Sequence, residues 1–531
     1  MKKLPTGIQT FRKIIEDDCV YIDKTQHIYN LIHGANSYFL SRPRRFGKSL
    51  LLDTIAEVFH GKRELFKGLW IYDSDYDFRK YPVVRVDMSG LATNSPEILN
   101  ISLLSYLEMR YSEEGLEMTD TSPVDAFRRL IFEMEKKHKE RVVVLIDEYD
   151  KPILDLMNNV EMAEASREIL RGFYGVLKSM DSFLRFTFFT GVSRFTKTSI
   201  FSELNNLTDI TLVEEYADIC GIPIENLETH FREHIANLSS IDRFKHYGDI
   251  GDEILAWYDG YSWDGRRRLL NPFSLLSLFE TKKIEAFWYS SGSPRFLIEL
   301  LKSKPESFLN LKNLEMREQV LEIFDIGKME VESLLFQSGY LTVKEIIHQI
   351  GPSLYRLDIP NMEVREAFHL QIISEFTESG LTLADSAYRR IADSLKNGDL
   401  LVMLETLRTL FASIPYELHV RAEAYYHSIF FAVITLLGFD IDAEVSTSRG
   451  RIDAVLELDD KVYIIEFKYA ECPINTSEET KRAIVNKTLA DGIEQINKKG
   501  YANKYQAGGK TIIKAAFVFL GRDEIEMTIE Y

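Results

Sequence analysis

The sequence has few cysteines, no long apolar run and no excess of basic charge, and each shortage argues against a class of protein. Cys19, Cys220 and Cys472 are the three cysteines, and they show no CxxC or Cys/His ligand spacing. Neither a disulfide framework nor a zinc site is expected, and a reducing compartment is favoured. The longest apolar helical stretch, 429–439, is about half of the ~20 residues that a bilayer requires. We therefore expect no membrane span.

The acidic balance of the chain limits how it can bind nucleic acid. A net charge of −18 argues against a uniformly basic surface, because such surfaces neutralise phosphates with lysine and arginine. Any nucleic-acid site must then be a local patch. At the N-terminus, Pro5 and Gly7 interrupt the segment where a secretory leader would be apolar. We expect a cytoplasmic protein.

Length and composition predict a folded enzyme of several domains. The chain has 531 residues, of which 45% are hydrophobic and 27% are charged, values close to those of ordinary globular proteins. The alternation of apolar runs and amphipathic segments changes along the chain, and we expect four parts: 1–215, 216–345, 346–410 and 411–531. The first is typical of a parallel α/β sheet. The second and third are chiefly helical, with a hairpin predicted over 340–357.

A loop with phosphate-binding chemistry follows the apolar segment SYFL. Backbone N–H groups in such a loop face phosphate oxygens, a lysine reaches the β- and γ-phosphates, and a serine hydroxyl binds Mg²⁺. Arg42 stands where this Walker A motif ordinarily has glycine, and GKS alone also fits a surface loop. The candidate nucleotide-binding residues here are Arg44, Arg45, Phe46, Gly47, Lys48 and Ser49.

A second motif, RVVVLIDE, ends an apolar strand in two acids, as a Walker B motif does. Asp147 is expected to hold Mg²⁺, and Glu148 to polarise the attacking water. Alone, this motif could also be an acidic turn after a core strand. After a further apolar strand, Thr190 and Ser193 are candidates for sensing the γ-phosphate, and Arg194 for stabilising charge. Together the motifs predict a site for ATP and Mg²⁺.

Seven segments together resemble the bacterial AAA-ATPase-like family. They lie within residues 4–345 and read LPTGIQTF, YIDKT, SRPRRFGKSLLL, LIDEYDKP, WYDGY, NPFS and SLLFQSGYLT. The resemblance implies a P-loop NTPase parallel sheet with a helical or winged-helix lid. Members of this family usually carry a PD-(D/E)XK nuclease-like domain at the C-terminus. The resemblance therefore implies a restriction-endonuclease-like α/β domain in the last part of the chain.

Two apolar segments near the C-terminus, RIDAV and IIEFK, meet that expectation. The two-residue period of a strand places Glu466 and Lys468 on one face, and Asp453 can approach from a neighbouring strand. The two carboxylates, with the Phe467 carbonyl, suit Mg²⁺, and the amine is expected to position or deprotonate a water molecule. A salt-bridged surface hairpin is the alternative. The spacing resembles the PD-(D/E)XK core closely.

Flanking helices supply further candidates for this second site. Glu423 and His427 are four residues apart and share a helix face. Glu423 is a candidate for the additional metal-facing carboxylate of the superfamily. Gln495 and Tyr501 resemble the QxxxY element of RecB-type nucleases, although the gap between them is longer.

Two complete sets of chemical groups lead us to expect an ATP-regulated, Mg²⁺-dependent nuclease acting on DNA, in defence, mobile-element or repair biology. A second hypothesis is a nucleotide-dependent switch that binds nucleic acid or a protein through an inactive nuclease fold. A third is an ATP-driven homo-oligomeric assembly. The sequence does not decide between DNA and RNA.

Overall fold

The chain folds into two compact units in the computed structural model. One comprises Met1–Phe296 and Asn313–Val364, and the other Leu297–Lys312 and Arg365–Tyr531. Within the described ranges no helix has both the length and the apolar content to cross a bilayer. The finer division into four domains stays a prediction. The structure describes residues 1–194, 200–201, 204, 206–245, 248–288, 297, 300, 314–321, 330–377, 380–411, 441–447, 450–458, 460–470, 476–498, 502, 505, 509–520 and 524–531.

A five-stranded sheet organises the first unit, with strand order β2-β3-β4-β1-β5. All four strand pairs are parallel, which confirms the predicted parallel sheet. Strands β1, β3 and β4 are buried along almost their whole length, because helices cover both faces of such a sheet. The strands are β1 Ser37–Ser41, β2 Val83–Asp87, β3 Val142–Asp147, β4 Leu184–Gly191 and β5 Thr208–Asp209.

Helices surround this sheet and begin where the sequence offers capping side chains. The Ser95 hydroxyl accepts from the Ile98 N–H at the start of α4, and Asn159 caps α7 in the same way, which satisfies N–H groups that have no partner within the helix. The helices are α1 Phe11–Glu16, α2 Thr25–His33, α3 Lys48–Phe59, α4 Pro96–Glu113, α5 Pro123–His138, α6 Lys151–Leu154 and α7 Val160–Ser179.

The rest of the first unit combines short helices with two small antiparallel sheets. The hairpin predicted over 340–357 is present as β9 and β10. The helices are α8 Glu225–His230, α9 Arg232–Ser239, α10 Ile250–Tyr258, α11 Pro272–Thr281, α12 Glu318–Leu321 and α13 Val331–Ser338. The strands are β6 Ile222–Pro223, β7 Leu269–Leu270, β8 Leu314–Arg317, β9 Thr342–Ile347 and β10 Leu354–Asp358.

The second unit contains a mixed five-stranded sheet of order β11-β12-β13-β14-β15. Strands β13 and β14 are parallel, and the other pairs are antiparallel. This confirms the expected C-terminal α/β domain, although β11 and β15 were not predicted. The helix expected to end near Gly438 lies outside the described residues. The elements are α14 Met362–Thr377, α15 Gly380–Asn397, α16 Leu400–Phe411, β11 Ile441–Thr447, β12 Gly450–Glu457, β13 Lys461–Ala470, α17 Glu478–Lys498, β14 Thr511–Leu520 and β15 Glu524–Glu530.

Candidate functional site

The phosphate-loop motif lies between β1 and α3, as the sequence predicts. Two residues of the loop adopt positive φ, Arg45 at 64° and Gly47 at 93°. A Cβ atom on Gly47 would meet nothing within 4 Å, so the left-handed backbone alone favours glycine there. Lys48 and Ser49 open the helix. The loop therefore delivers both side chains at a helix N-terminus, where backbone N–H groups attract anions.

The Lys48 ammonium group lies inside the loop. Its Nζ donates to the Arg42 and Pro43 carbonyls, each at 2.9 Å. Burial lowers the pKa of Lys48, and the neighbouring acids Glu148 and Asp147 act against that shift. A buried ammonium group that two carbonyls hold in place is ready to exchange those acceptors for phosphate oxygens.

Arg42, which replaces the usual glycine, is a buried structural residue. Its Nη1 donates to the Ser41 and Thr211 carbonyls, both at 2.9 Å. Nη2 donates to the Tyr216 carbonyl at 3.1 Å and to that of Ala217 at 3.4 Å. The Arg42 backbone N–H donates to the Gly191 carbonyl, which continues the ladder between β1 and β4. The backbone at this position therefore has no need of glycine.

The acidic pair lies at the carboxyl end of β3, beside the loop. Asp147 Oδ1 accepts from the Thr190 hydroxyl on the neighbouring strand at 2.6 Å. Its Oδ2 is buried and accepts no hydrogen bond within the described part of the chain. A buried carboxylate oxygen that accepts no hydrogen bond there fits a Mg²⁺ ion whose remaining ligands are water and nucleotide phosphates. Glu148 has φ of 51°, and burial raises its pKa while Lys48 opposes that shift.

Arg85 is a residue of this site that the sequence did not reveal. Its Nη2 lies 3.8 Å from Asp147 Oδ2, and it donates to the Ser49 carbonyl at 3.2 Å. Nη1 binds Asp53 Oδ1 at 2.6 Å, and the other Asp53 oxygen accepts from the Phe11 N–H at 2.6 Å. Arg85 thus links the acid of β3 to α3 and, through Asp53, to the N-terminal segment. No motif signals it, because its partners are distant in sequence.

The residues that follow β4 bind two other acids, Asp150 and Asp209. Asp150 Oδ2 accepts from the Val192 N–H at 3.0 Å and from the Ser193 N–H at 2.6 Å. Arg194 is buried, and its Nε and Nη2 bind Asp209 Oδ2 at 3.0 and 2.7 Å. The structure therefore places Arg194 in an ion pair with β5. A direct role for it with nucleotide stays a prediction.

A cavity of about 560 Å³ opens over the loop. Its charged side includes Arg44, Lys48 and Glu148, and the guanidinium carbon of Arg45 lies 3.7 Å from the ring centroid of Phe273. The remaining wall is largely apolar and comes from residues 5–9, 20–22, 219–222, 272–273 and 276. A concave site with one polar, cationic end and an apolar wall suits a molecule that joins phosphates to a planar base.

The second candidate site lies on the sheet of the second unit. Ala454 of β12 pairs with Ile465 of β13, so Asp453 and Glu466 occupy the next position along this antiparallel pair. Glu466 is 1% exposed, and its Oε1 accepts from Lys468 Nζ at 2.8 Å. The third side chain of this site is Gln495 of α17, which contacts both Glu466 and Lys468.

Gln495 joins both charged residues of β13. Its Oε1 accepts from Lys468 Nζ at 2.9 Å, and its Nε2 donates to Glu466 Oε1. Helix α17 approaches the sheet closely because Gly492 carries no side chain: a Cβ there would lie 2.9 Å from that of Ala516. The structure therefore brings together three of the predicted residues, Glu466, Lys468 and Gln495.

Other predicted residues of the second site fall outside what the structure describes. Glu423, His427 and Tyr501 lie outside the described residues, as does the side chain of Asp453. Among the described side chains, no group of three histidines, cysteines or acids could hold a metal. The buried carboxylate of Glu466 and the adjacent Phe467 carbonyl are hard oxygen donors of the kind that Mg²⁺ prefers.

Comparisons with known proteins match each end of the chain to a protein family. Residues 5–201 match the model of a family described as predicted AAA-ATPase, and residues 421–528 match that of the PD-(D/E)XK nuclease superfamily. A protein of Azotobacter chroococcum mcd 1, named as an uncharacterized protein in the vnfD 5' region, is 36% identical over 517 residues, which are 96% of this chain and 95% of the relative. The chain therefore belongs to the family of predicted AAA-ATPases that carry a C-terminal domain of the PD-(D/E)XK nuclease superfamily.

Proposed function

We propose that this protein is an ATP-regulated nuclease that hydrolyses phosphodiester bonds in DNA. The observation that carries the proposal is the presence of two separate reactive groupings in one chain. Lys48 faces the acids at the end of β3 in the first unit, and Lys468 binds Glu466 and Gln495 in the second. A protein with only one task would need only one of them.

In the first unit, ATP is expected to bind with its phosphates against the loop and its base against the apolar wall of the cavity. Lys48 would exchange the carbonyls of Arg42 and Pro43 for phosphate oxygens. Glu148 would accept a proton from the attacking water, and its raised pKa makes it a stronger base than an ordinary carboxylate. Thr190 would keep Asp147 fixed through its hydrogen bond.

In the second unit, the same reasoning assigns roles to the residues of β13 and α17. Lys468 would orient the attacking water and offset negative charge that develops on the scissile phosphate. Gln495 would hold both Lys468 and Glu466 in place. Mg²⁺ bound by Ser49 and Asp147 in one unit, and by Asp453 and Glu466 in the other, would supply charge neutralisation and water activation.

The nucleotide half of the proposal is tested by binding and turnover of ATP with the purified full chain. Wild-type protein should bind a fluorescent ATP analogue in the presence of Mg²⁺ and release phosphate from ATP. The Lys48→Ala variant should lose at least tenfold in affinity, and Glu148→Gln should bind ATP but hydrolyse it at least a hundredfold more slowly. Equal turnover by wild type and Glu148→Gln would show that Glu148 is not the base.

The nuclease half is tested by gel electrophoresis of a panel of single- and double-stranded DNA and RNA with Mg²⁺, with and without ATP. We expect cleavage of DNA that Asp453→Ala and Lys468→Ala abolish. Lys487→Ala is a matched control on an exposed part of α17. If wild type cleaves no member of the panel beyond these variants, but still captures nucleic acid in an ATP-dependent manner, the protein is a nucleotide-dependent switch with an inactive nuclease fold.

A further inference from the structure

The outer side of the phosphate loop is held by segments from much later in the first unit. The guanidinium carbon of Arg42 lies 4.1 Å from the ring centroid of Trp263, and the Phe46 ring packs edge-on against that of Trp263 at 5.2 Å. At Gly339, φ is 93° and an added Cβ would lie 2.7 Å from the Pro43 Cβ. Such loops are usually rich in glycine, whereas this one is rich in arginine. Its conformation is held by these contacts with Trp263 and Gly339.

Trp288 connects this loop to a buried acid. Its indole Nε1 donates to the Arg44 carbonyl at 3.2 Å. Its backbone N–H donates to Glu363 Oε1 at 2.7 Å. The ring also packs against Tyr340 at 5.2 Å between centroids, which restricts its orientation. The loop carbonyl at Arg44 is therefore hydrogen-bonded to the same residue that donates to Glu363.

The same Glu363 oxygen also receives a hydrogen bond from the residue that follows Phe273. Ser274 Oγ donates to Oε1 at 2.8 Å, and Ser274 directly follows Phe273, which lines the cavity. Glu363 is 0% exposed, and its Oε2 accepts no hydrogen bond in the part of the chain that the structure describes. Trp288, which is bound to the phosphate loop, and Ser274, which follows a residue of the cavity wall, therefore both donate to one buried carboxylate oxygen.

Glu363 lies in the first turn of α14, the helix that carries the chain from the first compact unit into the second. Asn361 Oδ1 accepts from the Val364 N–H at 3.0 Å, so the start of this helix is capped. The carbonyl of Pro360 accepts from Lys344 Nζ at 3.1 Å. The beginning of α14 is therefore fixed to the first unit by several contacts around Glu363.

We propose that Glu363 is a positioning residue that couples occupancy of the phosphate loop to helix α14, through Trp288 on one side and Ser274 on the other. The inference rests on the proposed ATP site. It names the contacts through which nucleotide binding would act on the helix that continues into the second unit. When phosphates draw the loop backbone towards them, the donors to Glu363 shift. Because a buried carboxylate is destabilised when it loses a donor, the start of α14 follows the donors.

The donors to Glu363 also affect how readily this buried acid ionises. Burial raises the pKa of Glu363 to about 7, and the hydrogen bonds from Trp288 and Ser274 oppose that shift. Tyr261, whose own pKa is raised by burial, is the titratable neighbour. At neutral pH a change in either donor therefore changes the fraction of Glu363 that is ionised.

Hydrogen–deuterium exchange of the full chain tests this route, with and without a non-hydrolysable ATP analogue and Mg²⁺. In wild type, the analogue should slow exchange at 42–52 and change exchange at 362–377. Trp288→Phe keeps an aromatic ring but removes the indole N–H donor, and Glu363→Met removes the acceptor. Both variants should keep the response at 42–52 and reduce the response at 362–377 to less than one fifth. Glu363→Gln, which keeps an acceptor oxygen, should respond as wild type does.

Glu366→Met is the matched control on the same helix, and it should also respond as wild type does. An undiminished response at 362–377 in Trp288→Phe and Glu363→Met would overturn the inference. So would a wild-type response at 42–52 that does not extend to 362–377. Absence of any wild-type response at 42–52 would instead contradict the proposed ATP site itself, and the inference with it.

Discussion

Replacing Arg42 by glycine restores the residue that phosphate loops usually have at this position, and we expect it to destabilise the protein. The variant loses four hydrogen bonds from a guanidinium group to carbonyls and its stacking on Trp263. Each buried carbonyl that loses its donor costs about 1 kcal/mol, and the space left by the side chain adds a cavity cost. Burial of the charged guanidinium group is itself unfavourable and lowers the pKa of Arg42 to about 10. This cost offsets about 3 kcal/mol of the stabilisation that the contacts of Arg42 provide.

The net loss for Arg42→Gly should then be about 3 kcal/mol in the free energy of unfolding, together with weaker binding of ATP. Urea denaturation followed by tryptophan fluorescence measures the first quantity, and a fluorescent ATP analogue measures the second. The free energy of unfolding of Arg42→Lys should lie between those of Arg42→Gly and wild type. Arg267→Gly, which removes a half-exposed arginine paired with Asp218, should cost about 1 kcal/mol or less. An Arg42→Gly protein as stable as wild type, with equal or tighter ATP binding, would refute the reasoning.

Three further variants test other parts of the structure. Because burial raises the pKa of Glu363 to about 7, the folded state loses stability as pH rises from about 4.5 through 7, and Glu363→Gln escapes that loss. Urea denaturation should find this variant more stable than wild type by up to about 3 kcal/mol at pH 8.5 and by less than about 1 kcal/mol at pH 5. A stability difference that is equal at the two pH values contradicts the assignment. Thr190→Val removes the donor to Asp147 and should slow ATP hydrolysis about tenfold while ATP affinity, measured by titration, stays within twofold. Gly492→Val forces α17 away from Ala516 and should lower the stability of the second unit by about 2 kcal/mol and slow DNA cleavage, whereas the exposed Ala490→Val should do neither.

Most strands that carry the two sites could be predicted from the sequence. Most contacts that hold the site residues in place could not. The motifs at Lys48, Asp147 and Glu466 follow continuous apolar runs, and burial on both faces of a sheet produces such runs directly. Their period and order were enough to predict the parallel sheet of the first unit and the strand pair of the second. The edge strands β5 and β15 were missed, because β5 is only two residues long and β15 alternates acids with apolar residues.

Contacts between distant segments could not be predicted from a single sequence. Arg85, Trp288 and Glu363 belong to no motif, and each gains its role from partners brought close only by folding. The departure at Arg42 was visible in the sequence, but its reason was not. That reason lies in four carbonyls, three of them from residues 211–217, and in the ring of Trp263.

The central claim, that one chain joins an ATP site to a nuclease site, is tested most directly by the rate of DNA cleavage with Mg²⁺ at increasing ATP concentration. Wild type should show a cleavage rate that changes with ATP and saturates at the concentration where ATP binding saturates. Lys48→Ala should cleave at a rate that ATP does not alter, and Lys468→Ala should bind ATP normally without cleaving. A wild-type rate that is the same at every ATP concentration, or cleavage that persists in Lys468→Ala, would contradict the account.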